Sequence, residues 1–201
     1  MADELIDIYD SEMNLLGTAM KSQADNESLW RKVAHCWVID GDKVWLQLRG
    51  KNRAVYPAQL DVSVAGHLMT GETAKQTLVR EFDENFGLEV SEDEFEKLFT
   101  HRLVESYNSR EFRAFCPTYA LQLKAKPAEL AIQSDEVDGV FEAKIEDLID
   151  LFNGDVAKIK ISGYTRSSRK KVERSVGVRD FAPHGERYYL KVFTTLERVV
   201  G

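Results

Sequence analysis

Cysteine is scarce in this chain of 201 residues: Cys36 and Cys116 are the only two, each inside an apolar run. A disulfide framework needs more of them, in loops, so buried free thiols are expected. Long apolar runs are missing too, since none approaches the ~20 residues that span a bilayer. The acidic start "MADELIDIYDSEMN" lacks the apolar centre of a secretory signal. Positive charge is in deficit, with 27 Lys and Arg against 34 Asp and Glu and a net charge of −7. General attraction to nucleic acid or an anionic membrane is therefore not expected. An anionic ligand must be drawn by a local group of Lys and Arg, or by bound cations. Repeats and low-complexity tracts are absent. The expectation is a cytoplasmic protein with neither a membrane nor a nucleic-acid partner.

What is present is ordinary for a globular domain: 43% apolar and 30% charged residues. "LIDIYD" and "LLGTAM", joined by "SEMN", read as an N-terminal hairpin, followed by a loop "QADNES". "KVAHCWVI" and "KVWLQLR" flank an Asp-Gly turn and form the clearest hairpin. "GKNRAVYPAQ" is a basic loop and "LDVSVAG" a strand ending at Gly66. Ala74, Leu78, Phe82 and Phe86 recur every fourth residue, the stripe of a helix that Thr70 or Thr73 caps and Gly87 ends. Two strands joined by "YNSR", the strand "EVDGVFEAK" and the helix "IEDLIDLFNG" come next. The basic segment after Lys158 has no clean period and reads as a long loop or short helix. "ERYYLKVFTTLERVV", apolar at 189, 192, 193, 196 and 200, fits a terminal helix. This order predicts one α+β domain: an N-terminal hairpin extension (1–28), a core (29–155), and a C-terminal loop and helix (156–201).

The chemistry concentrates in Gly66–Leu88, "GHLMTGETAKQTLVREFDENFGL". Glu81, Glu84 and Asn85 lie at i, i+3 and i+4 and so share one helix face. Carboxylates so placed can share a hard divalent cation, which prefers oxygen ligands and substrate phosphates. Glutamates three apart are by themselves most often a solvated face. The wider spacing is more specific: Gly66, five residues, Glu72, seven residues, then Arg80-Glu81-Phe82-Asp83-Glu84-Asn85-Phe86-Gly87-Leu88. This resembles the Nudix box and departs from it once, with Asn85 in place of the second glutamate of a pair.

The resemblance implies an α/β/α sandwich around a mixed sheet, and hydrolysis of a diphosphate linkage in a nucleoside diphosphate derivative or similar small phosphate compound. It implies Mg²⁺ or Mn²⁺ as cofactor. Glu81 and Glu84 would be ligands, with Asn85 and the carbonyl of Ala65 joining them. Glu136 would be a further acid at the metals, or else a surface loop acid. Glu72 and Arg80 would form an internal ion pair, so that Gly66, Glu72, Arg80 and Gly87 shape the box.

Residues 28–67 are similar to the group that includes the type I isopentenyl diphosphate isomerases and their hydrolase relatives. By that analogy Arg49, Lys51 and Arg53 would hold the diphosphate, and His67 would be a ligand, a phosphate donor or a turn residue. The isomerases' acid/base cysteine is replaced by Ala65, their acid pair by Phe112 and Ala114, and a metal histidine by Arg31. Proton addition and removal need such groups, so hydrolysis is expected over isomerisation. Asn85 leaves a second reading open, a non-catalytic module of the same fold that binds a nucleotide or protein. His35, Cys36 and Trp37 are expected in the core or a pocket wall, the basic run 166–174 on a solvated surface, and a homodimer through the edge hairpin is plausible.

Overall fold

The N-terminal hairpin forms because two β-rich runs flank the polar turn: β1 (Leu5–Tyr9) pairs antiparallel with β2 (Leu15–Met20). In the computed structural model, which describes residues 3–108, 110–185 and 187–200, this pair stands apart as a two-stranded sheet. The expected loop after it contains a short helix, α1 (Lys21–Asn26), whose Ala24 is buried.

β3 (Arg31–Asp40) and β4 (Lys43–Arg49) leave the Asp-Gly turn as a hairpin but pair only at Ile39–Val44 and Asp40–Lys43. They then part, and the chain at 60–67 fills the opening. The single strand expected there is two short ones: β5 (Leu60–Asp61) pairs with β4, and β6 (Val64–His67) pairs with β3. Ser63 spans the split. Its hydroxyl donates to the Trp45 carbonyl (2.6 Å) and accepts from the Val38 amide (3.0 Å), so both backbone groups are paired at the crossing.

The box helix, α2 (Ala74–Phe86), leads into β7 (Glu96–Tyr107), β8 (Arg110–Gln122), β9 (Val137–Lys144) and α3 (Ile145–Asn153). α3 ends at Gly154, in the left-handed conformation (φ +89°) that favours glycine. The segment expected as loop or short helix is a β-hairpin instead, β10 (Ile159–Thr165) with β11 (Ser168–Val176). Its alternation is obscured in the sequence because Arg174 faces inward among Ile161, Val172 and Val176. The guanidinium stacks on the Phe141 ring at 4.8 Å, burying its stem while keeping its charge. β10 pairs with β9, so the core sheet extends well past residue 155. α4 (Tyr188–Val200) closes the chain.

Among the described residues nine strands form one mixed sheet, in the order β11-β10-β9-β4-β3-β8-β7 with β5 and β6 beside β4 and β3. β3 and β8 run parallel and the other pairs antiparallel. One face packs Cys36, Val38, Trp45, Val64 and Val140 against Leu78, Phe82 and Phe86 of α2. The other packs Trp37, Leu46, Leu60 and Phe141 against α3 and α4. This is the α/β/α sandwich. Cys36 and Cys116 are free and buried, and His35 and Trp37 belong to the core.

Candidate active site

α2 carries the acids, and its position is set at both ends. Thr73 caps it: its hydroxyl accepts from the Gln76 amide (3.2 Å) while the Gln76 side chain accepts from the Thr73 amide (3.0 Å). Gly87 ends it at φ +62°, with its amide donating to the Asp83 carbonyl. Leu78, Phe82 and Phe86 bury one face, which turns Glu81 and Asn85 toward the end of β6. There Gly66 is required by space, because a Cβ would collide with the Glu81 carboxylate.

Arg80 gathers the box. It donates to both oxygens of Glu72 (3.1 and 3.2 Å), to the His67 carbonyl (3.1 Å), to Glu81 Oε1 (2.8 Å) and to Glu84 Oε2 (3.3 Å). Glu72 also accepts from the Met69 amide and the Thr77 hydroxyl, so loop and helix are tied through one carboxylate. Glu81 is the least exposed of the helix acids, at 12%. Burial raises its pKa to about 7, with Glu84 and Glu136 adding to the rise while Arg80 opposes it. Glu84, on the next turn, is half exposed.

Asn85 is buried, and its Nδ2 donates to Glu81 Oε2 at 3.2 Å. Each oxygen of Glu81 therefore has a donor, Arg80 on one and Asn85 on the other. Glu136 reaches the cluster from the loop before β9, its carboxylate paired with Arg53 and its carbonyl accepting from the Gly50 amide (2.7 Å). Lys51 lies beside it, its amide bonded to Asp138 Oδ2 (3.2 Å). The basic loop thus reaches the acids of the helix through the Arg53–Glu136 pair.

Arg49 has a different setting. Its guanidinium donates to the Val55 and Tyr56 carbonyls within its own loop and to Asp61 Oδ2 (2.7 Å). Those bonds tie the loop to Asp61. His67 is half-buried, and its Nε2 is buried and unpartnered among the described residues. Burial, with Lys21, Arg31, Arg53 and Arg80 around it, holds the ring neutral. Sequence reading missed Asp61 and His184, a hydrogen-bonded pair at 2.5 Å. An acid at a buried strand position was the one available signal, and His184 in "FAPHG" gave none.

Among the described residues, no three His, Cys, Asp or Glu side chains converge closely enough to hold a cation as they stand. Arg80 and Arg53 take the carboxylates instead. The donor chemistry nonetheless fits a hard cation, because every candidate ligand is oxygen and Glu81 remains short of positive charge.

On the opposite face, Ala65 pairs with His35 across β6 and β3. Phe112 and the buried Arg31 stack at 4.9 Å, and Ala114 is fully buried. No acid stands at these positions.

The burial of His35 has a consequence for pH. Desolvation, with His184 and His101 nearby, pulls its pKa well below 6.5. Below that pH the unfolded chain takes up a proton that the folded ring refuses, so stability is lost as pH falls through the ordinary histidine range. Thermal melts are expected to show the loss between pH 6.5 and 5.5, at about 1.4 kcal/mol per unit from this ring. His35→Gln is expected to flatten that slope; an unchanged slope assigns the acid sensitivity to other groups.

The family model for the NUDIX domain matches residues 29–162. An uncharacterised Nudix hydrolase of Clostridium acetobutylicum is 28% identical over 98% of each chain. An isopentenyl-diphosphate Delta-isomerase of Cutibacterium acnes is 27% identical over 74% of this chain and 78% of its own. A crystal structure from Deinococcus radiodurans shares the fold with a TM-score of 0.57 at 20% identity, covering 75% of this chain and 90% of its own. A MutT/nudix family protein from Enterococcus faecalis does so at 0.56 and 14%, covering 85% and 62%.

Proposed function

Because this chain belongs to the Nudix family of hydrolases, we propose that it cleaves a diphosphate linkage by attack of water on phosphorus. The substrate is a nucleoside diphosphate derivative or a similar small phosphate compound. The observation that carries this reading is that Glu81 and Glu84 share Arg80 on the box helix, while Glu136, which adds to the rise of the Glu81 pKa, pairs with Arg53 of the basic loop. Glu81, Glu84 and the Ala65 carbonyl would hold Mg²⁺ or Mn²⁺. Such an ion supplies charge neutralisation at phosphorus and a more acidic bound water. Lys51 and Arg53 orient the diphosphate, with Arg53 exchanging its contact with Glu136 for phosphate oxygens. Glu136, so released, would take the proton of the attacking water. His67, neutral and with an unpartnered Nε2, lies near Arg53 and Arg80 and would offer a single hydrogen bond. In-line displacement relies on such positioning more than on covalent help.

A binding module is the second reading, favoured by the Asn85–Glu81 bond, which satisfies in-chain the carboxylate a cation would need. Isomerisation is disfavoured, since Ala65, Phe112 and Ala114 carry no proton. The test is release of phosphate or pyrophosphate from nucleoside diphosphate, dinucleotide, nucleotide-sugar and prenyl diphosphate compounds, with each cation. Turnover is expected; binding of the same compounds without turnover would establish the module instead. A cytoplasmic site of action is part of the same proposal, resting on two buried free thiols. No helix among the described residues is long and apolar enough to cross a membrane. Leu15 and Leu16, exposed on the N-terminal hairpin, suit the homodimer expected there.

A further inference from the structure

Loop 50–59 holds a conformation it would not adopt alone. Tyr56 (φ +49°) and Ala58 (φ +58°) both lie in the left-handed region, which costs a non-glycine residue on the order of 1 kcal/mol and persists only where the surroundings enforce it. The enforcement is visible. The Arg49 amide donates to the Gln59 carbonyl (2.9 Å) and closes the neck of the loop. The Arg49 guanidinium fills its centre, with Nε donating to the Tyr56 carbonyl (3.0 Å) and Nη2 to the Val55 carbonyl (2.8 Å). Its Nη1 is fixed by Asp61 Oδ2 at 2.7 Å.

Asp61 is itself fixed from the far end of the chain. Its Oδ1 accepts from the Val62 amide (2.7 Å) and from His184 Nε2 (2.5 Å). Burial alone would raise the Asp61 pKa, yet His184 and Arg49 beside it hold it ionised. An ionised carboxylate only accepts, so Nε2 carries the histidine proton. His184 sits on a strap that other bonds hold in place. Phe181 bridges to Leu60, the Ala182 amide donates to the Leu60 carbonyl (2.8 Å), and the Tyr189 hydroxyl donates to the Ala182 carbonyl (2.7 Å). The His184 carbonyl accepts from His101 Nε2 (2.7 Å). The strap therefore does not depend on the His184 side chain, which instead supplies one of the two donors on Asp61 Oδ1.

We propose that His184 is a positioning residue for the diphosphate loop, acting through Asp61 and Arg49 to place Lys51 and Arg53. This rests on the substrate role given above to Lys51 and Arg53. A segment outside the matched domain, beyond residue 162, thereby completes the substrate site.

The full-length protein is compared with His184→Ala and with His184→Gln, whose amide nitrogen stands where Nε2 does. Two readouts are taken: the rate of tryptic cleavage after Lys51 and Arg53, monitored by mass spectrometry, and the KM and kcat for the preferred diphosphate compound. His184→Ala is expected to speed loop cleavage and to raise KM by about tenfold each, the scale of a lost hydrogen bond to a charged group, with kcat within about twofold. His184→Gln is expected to restore both. Should the alanine variant not fold, His184→Asn, whose shorter amide does not reach Asp61, takes its place with the same expectations. Native cleavage and KM in the variant overturn the proposal, as does failure of glutamine to rescue. Faster cleavage at unchanged KM overturns the link to substrate. If the natural protein proves to have no turnover, hydrolysis fails by itself, and the cleavage comparison still decides whether His184 sets the loop.

Discussion

Replacing Glu81 with glutamine is expected to lower metal-dependent turnover on the order of a thousandfold, the size of several kcal/mol of lost charge stabilisation. Glutamine keeps the shape and an acceptor for Arg80, so the fold is expected to persist. What disappears is the one carboxylate that is both largely buried and flanked by two other acids. In the absence of added cation the variant is expected to melt no lower than the natural protein above pH 7, because it no longer buries an ionised group. Titration with Mn²⁺ in a calorimeter is expected to lose its heat signal. Turnover at the natural rate would sink the assignment of Glu81 as a ligand, and a lower melting temperature with retained turnover would make it structural. Glu84→Gln is a milder case, since Glu84 is half exposed and its partner Arg80 keeps three other contacts.

Asn85→Glu is expected to act in opposite directions with and without metal. Without it, a second carboxylate would replace a donor 3.2 Å from Glu81 Oε2 in a buried position. The lost hydrogen bond and the new repulsion are expected to destabilise the protein by about 2 kcal/mol, relieved at low pH as one of the pair takes a proton. With Mn²⁺ present the added anion is expected to tighten binding at least about tenfold and to return the lost stability. Thermal melts with and without Mn²⁺ read both effects. Equal melting temperatures and equal Mn²⁺ affinity in the two proteins would mean that position 85 does not face the cation. If the variant hydrolyses a diphosphate that the natural protein only binds, Asn85 is what separates an enzyme from a binding module here.

The elements that repeat a local pattern were legible in advance. α2 announced itself through its stripe, Thr73 and Gly87, and the terminal helix through Tyr189, Val192, Phe193 and Leu196. The β10–β11 hairpin was not legible, because Arg174 occupies an inward position and only the Phe141 ring, remote in sequence, explains why it is tolerated. Likewise the split of "LDVSVAG" into two strands depends on β3 and β4 parting, which no local pattern encodes. In the site, the box spacing pointed to the acids. The settings of Arg49 and Asn85 came from partners twelve and four residues away, Asp61 and Glu81, whose direction only the folded chain supplies. His184 joins its partner across 123 residues and left no trace in the sequence.

The matched domain stops at residue 162, in the middle of β10, yet the hydrophobic layer over one sheet face comes mainly from residues beyond it. Val176, Phe181, Tyr188, Tyr189, Val192, Phe193 and Leu196 are all buried there against Trp37, Leu46 and Phe141. A chain ended at the recognisable boundary would expose that face and half a strand pair to water. The region that carries the family's signature is thus expected not to fold on its own in this protein. Any fusion or truncation that respects the motif but not α4 strips the sheet of the layer opposite the box helix.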